Sequence, residues 1–160
     1  VDNNFRADND YNNAAPYRGW IQLIGEHGWD KDLSATEIVN DTTDSDLSKT
    51  LDQELEMLVN LVNMAKDRGV KVLGVTAPLC PCYKKTGAYG RYGLRRSQAK
   101  EFFEKIHAYD AREDYFRFLD ENKMGDHDYP LEVGFDYDHI NYVGSAILTS
   151  RVYYVLRQME

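Results

Sequence analysis

The chain has 160 residues and a mass of 18.5 kDa, the size of one ordinary domain. With 42% hydrophobic residues and only four prolines, the composition excludes a disordered, collagenous or mucin-like protein. The formal net charge of −8 is concentrated in residues 1–56, where thirteen acidic residues accompany four basic ones. Because non-specific nucleic-acid binding depends on Lys and Arg neutralising phosphates, we expect no nucleic-acid partner.

The first part of the chain, residues 1–43, is an acidic segment rich in Asn and Gly, with one apolar island at 20–24 that could form a strand. From residue 44 apolar side chains recur every three or four positions, which predicts a helix that stops at Gly69. A β-branched run at 70–76 follows and predicts a buried strand. No stretch approaches the roughly 18 apolar residues of a membrane span, so we expect none.

The second part, residues 44–160, continues with an amphipathic helix from Ser97, a strand at 115–119 and a last helix that Asn141 can cap. A strand, a helix and a strand with this spacing favour parallel pairing, so the predicted class is α/β, with helices covering a parallel sheet. Two strands are few for a stable domain of this class. We therefore expect the sheet to be incomplete in this chain, with a second chain or fragment completing it.

The two cysteines, Cys80 and Cys82, flank Pro81. A disulfide that closes so short a loop would be strained, so we expect two thiols, or partners outside the chain. The spacing fits neither a C-x-x-C redox motif nor a paired zinc site. We expect no cofactor and assign no metal ligands.

The candidate catalytic residues are Asp136 and His139, in the loop before the last helix. Ligands of open parallel sheets bind beyond the carboxyl ends of the strands, which is where this loop should lie. At a separation of three residues the carboxylate can accept a hydrogen bond from the imidazole Nδ1–H, which leaves Nε2 free to act as a base. The alternative is that Asp136 or Asp138 caps the last helix and that His139 is an ordinary surface histidine.

The segment Asp136-Tyr137-Asp138-His139-Ile140-Asn141-Tyr142-Val143-Gly144 resembles the last sequence block of the SGNH, or GDSL-type, hydrolase superfamily, and residues 72–78 are similar to its late core strand. The resemblance covers roughly residues 44–160. It implies a three-layer, flavodoxin-like sandwich that hydrolyses or transfers an acyl ester through a serine nucleophile. In that scheme Asp136 orients His139, and His139 is the general base.

Two blocks of that family are absent, namely Gly-Asp-Ser and Gly-x-Asn-Asp. None of the six serines follows a buried strand with a glycine beside it, which is the position that such nucleophiles use. We therefore expect the nucleophile to lie on a missing segment or on another chain.

The loop at 77–96 is a candidate substrate-binding surface, because it combines glycines, basic residues and tyrosines. The residues assigned to binding a sugar or an anionic group are Tyr83, Tyr89, Arg91 and Tyr92. The alternative is a flexible loop whose tyrosines pack back on the sheet. The family resemblance and the aromatic residues together favour an acylated substrate, with acetylated polysaccharide as the class. We favour an extracellular or periplasmic location, although the sequence does not identify the compartment.

Two other functions stay open. One is a catalytically inactive carbohydrate- or protein-binding module on the same scaffold. The other is a divalent-metal-binding domain, because six potential ligands fall within fourteen positions: Asp126, His127, Asp128, Asp136, Asp138 and His139.

Overall fold

The structure is a computed structural model that describes residues 28–29, 48–90 and 94–160. Its regular elements are α1 (Ser48–Lys66), β1 (Val72–Thr76), α2 (Arg96–Asp110), β2 (Phe116–Asp120) and α3 (Tyr142–Met159). Short 3-10 helices at Pro81–Lys85, Lys123–Gly125 and Leu131–Val133 lie in the connecting loops. The predicted strand at 20–24 and the start of the first helix at 44–47 lie outside the described residues.

The sheet consists of β1 and β2, which pair in parallel with α2 as the crossover between them. The register runs from Val72 opposite Phe116 to Thr76 opposite Asp120. The predicted α/β class and the parallel pairing are therefore confirmed. Over the described ranges the sheet has these two strands, a small α/β sheet that is compatible with an incomplete sandwich.

The main core lies on one face of this sheet, beneath α1 and α2. Val62 of α1 and Phe116 of β2 are at most 1% exposed, and they pack together with Ile106 and Tyr109 of α2. Gly74 makes room for the aromatic rings, because a Cβ at this position would lie 3.2 Å from the Phe118 ring. The apolar faces of α1 and α2 thus pack against the apolar face of the sheet and form one buried core.

A second core lies under the loops that follow the strands. Its buried members come from loop segments far apart in the sequence, and Ile147 and Leu148 of α3 pack against them. These buried residues are Trp29, Cys80, Cys82, Tyr83, Tyr129 and Val133. This loop core gives the connecting segments a packed interior of their own.

Cys80 and Cys82 are joined by a disulfide, so the prediction of two thiols is wrong. The chain enters a 3-10 helix at Pro81, which brings the two Cα atoms to 5.2 Å. This separation lies within the usual range for a disulfide. The prediction considered only the sequence separation, whereas the turn at Pro81 places the two Cα atoms at a distance that a disulfide can span.

Two helix boundaries agree with the predicted signals, namely the start of α3 and the end of α1. The Asn141 side chain accepts hydrogen bonds from the amides of Val143 and Gly144, which confirms it as the cap of α3. The alternative that Asp136 or Asp138 caps this helix is wrong. Gly69 has a φ of +67°, a conformation that glycine adopts readily, and it follows the end of α1. None of the helices in the described ranges is long and apolar enough to cross a bilayer.

Adjacent residues of α1 provide a test of the main core. Val62 is fully buried, whereas Leu61 is 55% exposed. We expect Val62→Ala to lower the free energy of unfolding by about 2 kcal/mol, because it leaves a cavity among packed side chains. Leu61→Ala should change it by less than about 0.5 kcal/mol. Urea denaturation followed by circular dichroism measures both values, and equal losses would contradict the assigned core.

Candidate functional site

The site lies at the carboxyl edge of the sheet, where the loops after β1 and β2 are joined by hydrogen bonds. The Thr76 hydroxyl donates to Asp120 Oδ1 at 2.7 Å, and the same oxygen accepts from the Asn122 and Lys123 amides at 3.1 and 2.9 Å. The Asn122 side chain, which is buried, accepts from the Leu79 amide at 3.0 Å. These bonds satisfy buried polar groups and hold the two loops together.

Asp136 and His139 form a hydrogen-bonded pair in the loop before α3. His139 Nδ1 lies 2.8 Å from Asp136 Oδ1 and 2.9 Å from Oδ2, so the imidazole Nδ1–H donates to the carboxylate. This contact confirms the geometry predicted from their spacing. The two side chains are 47% and 62% exposed, respectively. No residue in the described ranges forms a hydrogen bond with Nε2 of His139, which leaves the proton-accepting nitrogen open to a reactant.

The backbone around the pair forms a tight turn. Asp136 Oδ1 also accepts from the amides of Asp138 and His139, both at 2.8 Å. The Phe135 amide donates to the His139 carbonyl at 2.9 Å and closes the turn. One carboxylate oxygen therefore organises both the backbone of the turn and the orientation of the imidazole.

Trp29 supports this turn from the loop core. Its indole Nε1–H donates to the Asp136 carbonyl at 2.9 Å, and its amide donates to the Leu131 carbonyl at 2.7 Å. The ring lies flush against Gly134, where a Cβ would fall 2.4 Å from Cδ1 of the indole. Sequence reasoning placed Trp29 in the N-terminal segment and missed this role, because a lone Trp between polar residues carries no periodic signal.

The disulfide-bonded turn supports the pair from the other side. The Cys80 amide donates to the Tyr137 carbonyl at 2.8 Å, and the Tyr83 hydroxyl donates to Asp138 Oδ1 at 2.7 Å. Tyr83 is 2% exposed, so in this structure it serves the core and the turn rather than an open surface. The loop after β1 is thereby bonded directly to the turn that carries His139.

Of the other residues assigned to substrate binding, Tyr89 is half-buried and packs on Phe103 with ring centroids 5.0 Å apart. Burial raises the pKa of its hydroxyl to about 12. Tyr89 therefore packs back on a residue of α2, whereas the alternative placed the loop tyrosines on the sheet. Arg91 and Tyr92 lie outside the described residues.

His127 has a structural environment. Its Nε2–H donates to the Leu79 carbonyl at 2.7 Å, and its Nδ1 accepts from the Tyr129 amide at 3.3 Å. Burial lowers the pKa of this histidine, since a charged imidazole would lose hydration next to Trp29. His127 is therefore held neutral and joins the loops after β1 and β2.

Arg151 of α3 anchors the loop after β2 through two carboxylates. Its guanidinium contacts the buried Glu121 at 2.8 Å and forms two hydrogen bonds with Asp128 at 2.7 and 2.9 Å. It also lies over the Tyr129 ring, 4.6 Å from the centroid. Hydrogen bonding to Arg151 lowers the pKa of Asp128 to about 2. This network compensates the burial of Glu121 and orders the loop that precedes the Asp136–His139 turn.

The divalent-metal alternative finds no support in the described part of the chain, where no three His, Cys, Asp or Glu side chains converge as a metal site would require. The carboxylates of the six-ligand stretch pair with separate donors. Asp126 pairs with Lys84 at 2.7 Å, Asp128 with Arg151, and Asp136 with His139. Each acid thus has its own donor instead of converging on one point.

Comparisons of this chain with protein-family models, curated proteins and solved structures found no match. An exposed imidazole with a carboxylate on Nδ1 and an open Nε2 can accept a proton from a nucleophile and return it to a leaving group. A rigid, hydrogen-bonded turn fixes its position at the carboxyl edge of the sheet.

Gly134 provides a test of the turn's support. We expect Gly134→Ala to lower the free energy of unfolding by about 1–3 kcal/mol, because the new methyl group overlaps the Trp29 ring. Gly87→Ala is the matched control, since a Cβ at Gly87 meets no atom within 4 Å. Chemical denaturation measures both changes. An equal effect of the two substitutions would contradict the packing of Trp29 on the turn.

The lowered pKa of His127 predicts an acid-sensitive contribution to stability. Because the folded protein binds this proton more weakly than the unfolded chain, the contribution is present above about pH 6.5 and declines as the pH falls below it. His127→Gln keeps a donor for the Leu79 carbonyl but does not titrate. We expect the free energy of unfolding of the variant to fall less than that of the wild type between pH 7 and 5. Parallel curves for the two proteins would contradict the assignment.

Proposed function

We propose that this chain is part of an SGNH-like ester hydrolase or acyltransferase in which Asp136 and His139 are two members of a Ser-His-Asp triad. The observation that carries the proposal is the bond from His139 Nδ1 to the Asp136 carboxylate, 2.8 Å long, in the last loop before α3. The pair combines a fixed tautomer with an open Nε2, and both are needed for a general base.

The chemistry follows from this arrangement. As a serine hydroxyl attacks the acyl carbonyl, His139 Nε2 takes its proton, and Asp136 stabilises the imidazolium that forms. His139 then donates the proton to the departing alcohol. Water in a hydrolase, or another hydroxyl in a transferase, attacks the acyl-enzyme by the same proton route in reverse.

The architecture supports a flavodoxin-like sandwich of which β1 and β2 are the late strands. The sheet face opposite α1 and α2 carries Leu73, Val75 and Leu119, and Val75 is 40% exposed. Further strands would extend the outer edge of β1, and further helices would cover this second face. Large apolar side chains are also exposed on α1 and α3: Met57, Leu61, Met64, Tyr142, Val143, Tyr153, Tyr154 and Leu156. Such surfaces are expected where the remainder of a sandwich packs.

The nucleophile, in this proposal, comes from a segment that this chain lacks or from a second chain. Ser97 lies in the first turn of α2, and Ser145 and Ser150 lie on α3. None of these three hydroxyls contacts His139 in the structure. A completed sheet would bring a further strand, with a serine after it, to the same carboxyl edge.

The substrate class that we propose is an acylated polysaccharide, with acetylated polysaccharide as the first choice. The Cys80–Cys82 disulfide supports an extracellular or periplasmic location, since disulfides persist mainly in oxidising compartments. The second candidate is a catalytically inactive binding module on the same scaffold. It is favoured by the absence, among the described residues, of a hydroxyl bonded to Nε2 of His139.

The test is serine labelling by a fluorophosphonate probe together with release of acetate from an acetylated polysaccharide. We expect the native assembly, including any chain that co-purifies, to be labelled on a serine that lies outside this 160-residue chain. His139→Ala should reduce both labelling and hydrolysis by at least about 100-fold, because the general base is removed. His107→Gln is the matched control, since His107 is also half-exposed and lies 3.7 Å from an aspartate, Asp120.

Three outcomes separate the possibilities. An unlabelled native assembly that retains glycan binding would favour the inactive module. Hydrolysis by the 160-residue chain alone, lost in His139→Ala, would contradict the external nucleophile. Equal effects of the His139 and His107 substitutions would contradict the role of His139.

A further inference from the structure

A basic groove opens at the carboxyl edge of the sheet, outside the Asp136–His139 turn. It is an open depression of about 620 Å³, within the range of roughly 300–1,000 Å³ that is typical of small-ligand sites. Its walls come from the first turns of α2 and from the loop after β2. The lining residues are Arg96, Ser97, Lys100, Lys123, Met124 and Asp126.

The groove carries excess positive charge, in contrast to the net charge of −8 of the whole chain. Three of its side chains are cationic, whereas its one carboxylate, Asp126, already pairs with Lys84 at 2.7 Å. Lys100 has only a loose contact with Glu104, at 3.9 Å, and both of these side chains are largely exposed. The groove therefore offers cations that its own acids do not neutralise.

The wall formed by the loop after β2 is held in a costly conformation. Lys123 and Met124 have φ values of +47° and +56°, a region that residues other than glycine rarely adopt. The Lys123 amide donates to Asp120 Oδ1 at 2.9 Å, and the Arg96 guanidinium donates to the Met124 carbonyl. Strain of this kind persists only where surrounding contacts impose it, and it is concentrated at ligand sites.

The groove and the candidate catalytic turn are connected through one short element. In the 3-10 helix Pro81–Lys85, Lys84 pairs with Asp126 at the groove, and its neighbour Tyr83 donates to Asp138 in the turn. The 3-10 helix therefore links the groove to the turn that carries His139.

We propose that the groove binds carboxylate groups of an acidic polysaccharide, which makes an O-acylated polyuronate the substrate class. This inference rests on the proposed function and adds to it the charge of the polymer. Three cationic side chains that line one groove suit the repeated carboxylates of a polyuronate. A nucleic acid would favour a longer basic track with aromatic rings for base stacking, and no aromatic side chain lines the described groove.

The experiment measures binding of oligogalacturonate, neutral xylo-oligosaccharide and single-stranded DNA to the native assembly by isothermal titration calorimetry. The proposal expects oligogalacturonate to bind at least tenfold more tightly than the neutral oligomer. The double variant Lys100→Gln with Lys123→Gln should weaken oligogalacturonate binding at least tenfold. Lys49→Gln, an equivalent charge change at an exposed position of α1, should leave the affinity unchanged. Thermal melting of each variant verifies that it is folded.

Several outcomes would overturn the proposal. They are equal affinity for neutral and acidic oligomers, no effect of the double variant, or DNA binding that exceeds oligogalacturonate binding and is lost in the same variant. A His139→Ala variant that still binds oligogalacturonate but has lost esterase activity separates this inference from the proposed function. Retained oligogalacturonate affinity without any esterase activity in the wild-type assembly would contradict the esterase alone. Esterase activity without acidic selectivity would contradict the groove alone.

Discussion

The parallel pairing of β1 with β2 is the constraint on which the rest of the structure depends. Because both strands end at the same edge, the loops that follow them meet there and share buried hydrogen bonds through Thr76, Asp120 and Asn122. The crossover helix α2 also starts at that edge, which places Arg96 beside the loop after β2. The candidate catalytic turn and the basic groove therefore both lie at this edge, although Arg96 and His139 are 43 positions apart in the sequence.

The site combines exposed reactive groups with a buried support. Exposed ion pairs generally stabilise a protein by less than about 1 kcal/mol, so stability does not explain the geometry of Asp136 and His139. The turn is ordered by the loop core, from which the Trp29 indole and the Tyr83 hydroxyl donate hydrogen bonds to it. A proton-transfer group needs such positioning, because a small misplacement of the base lowers the rate strongly.

Charged residues have two different functions around this edge. Arg151 forms ion pairs with Glu121 and Asp128, and its guanidinium also packs on the Tyr129 ring. This network stabilises the loop after β2. In the groove, by contrast, Lys100 has only a loose, exposed contact with an acid and Lys123 lies in a strained loop. Cationic side chains that pair with neighbouring acids stabilise the fold. Cationic side chains in a concave surface that acids do not neutralise favour an anionic ligand.

The sequence by itself determined the order of helices and strands, the parallel sheet, the Asn141 cap and the Asp136–His139 contact. All of these depend on periodicity or on neighbours a few positions apart, so local pattern was sufficient. Only the tertiary structure decided that Trp29 supports the turn, that Tyr83 is buried, that Cys80 and Cys82 are bonded, and that basic residues from α2 and the loop after β2 share a groove. Apart from the disulfide, which depends on the turn at Pro81, these features arise from contacts between segments that are distant in the sequence. No local sequence pattern encodes which of these segments the sheet brings together.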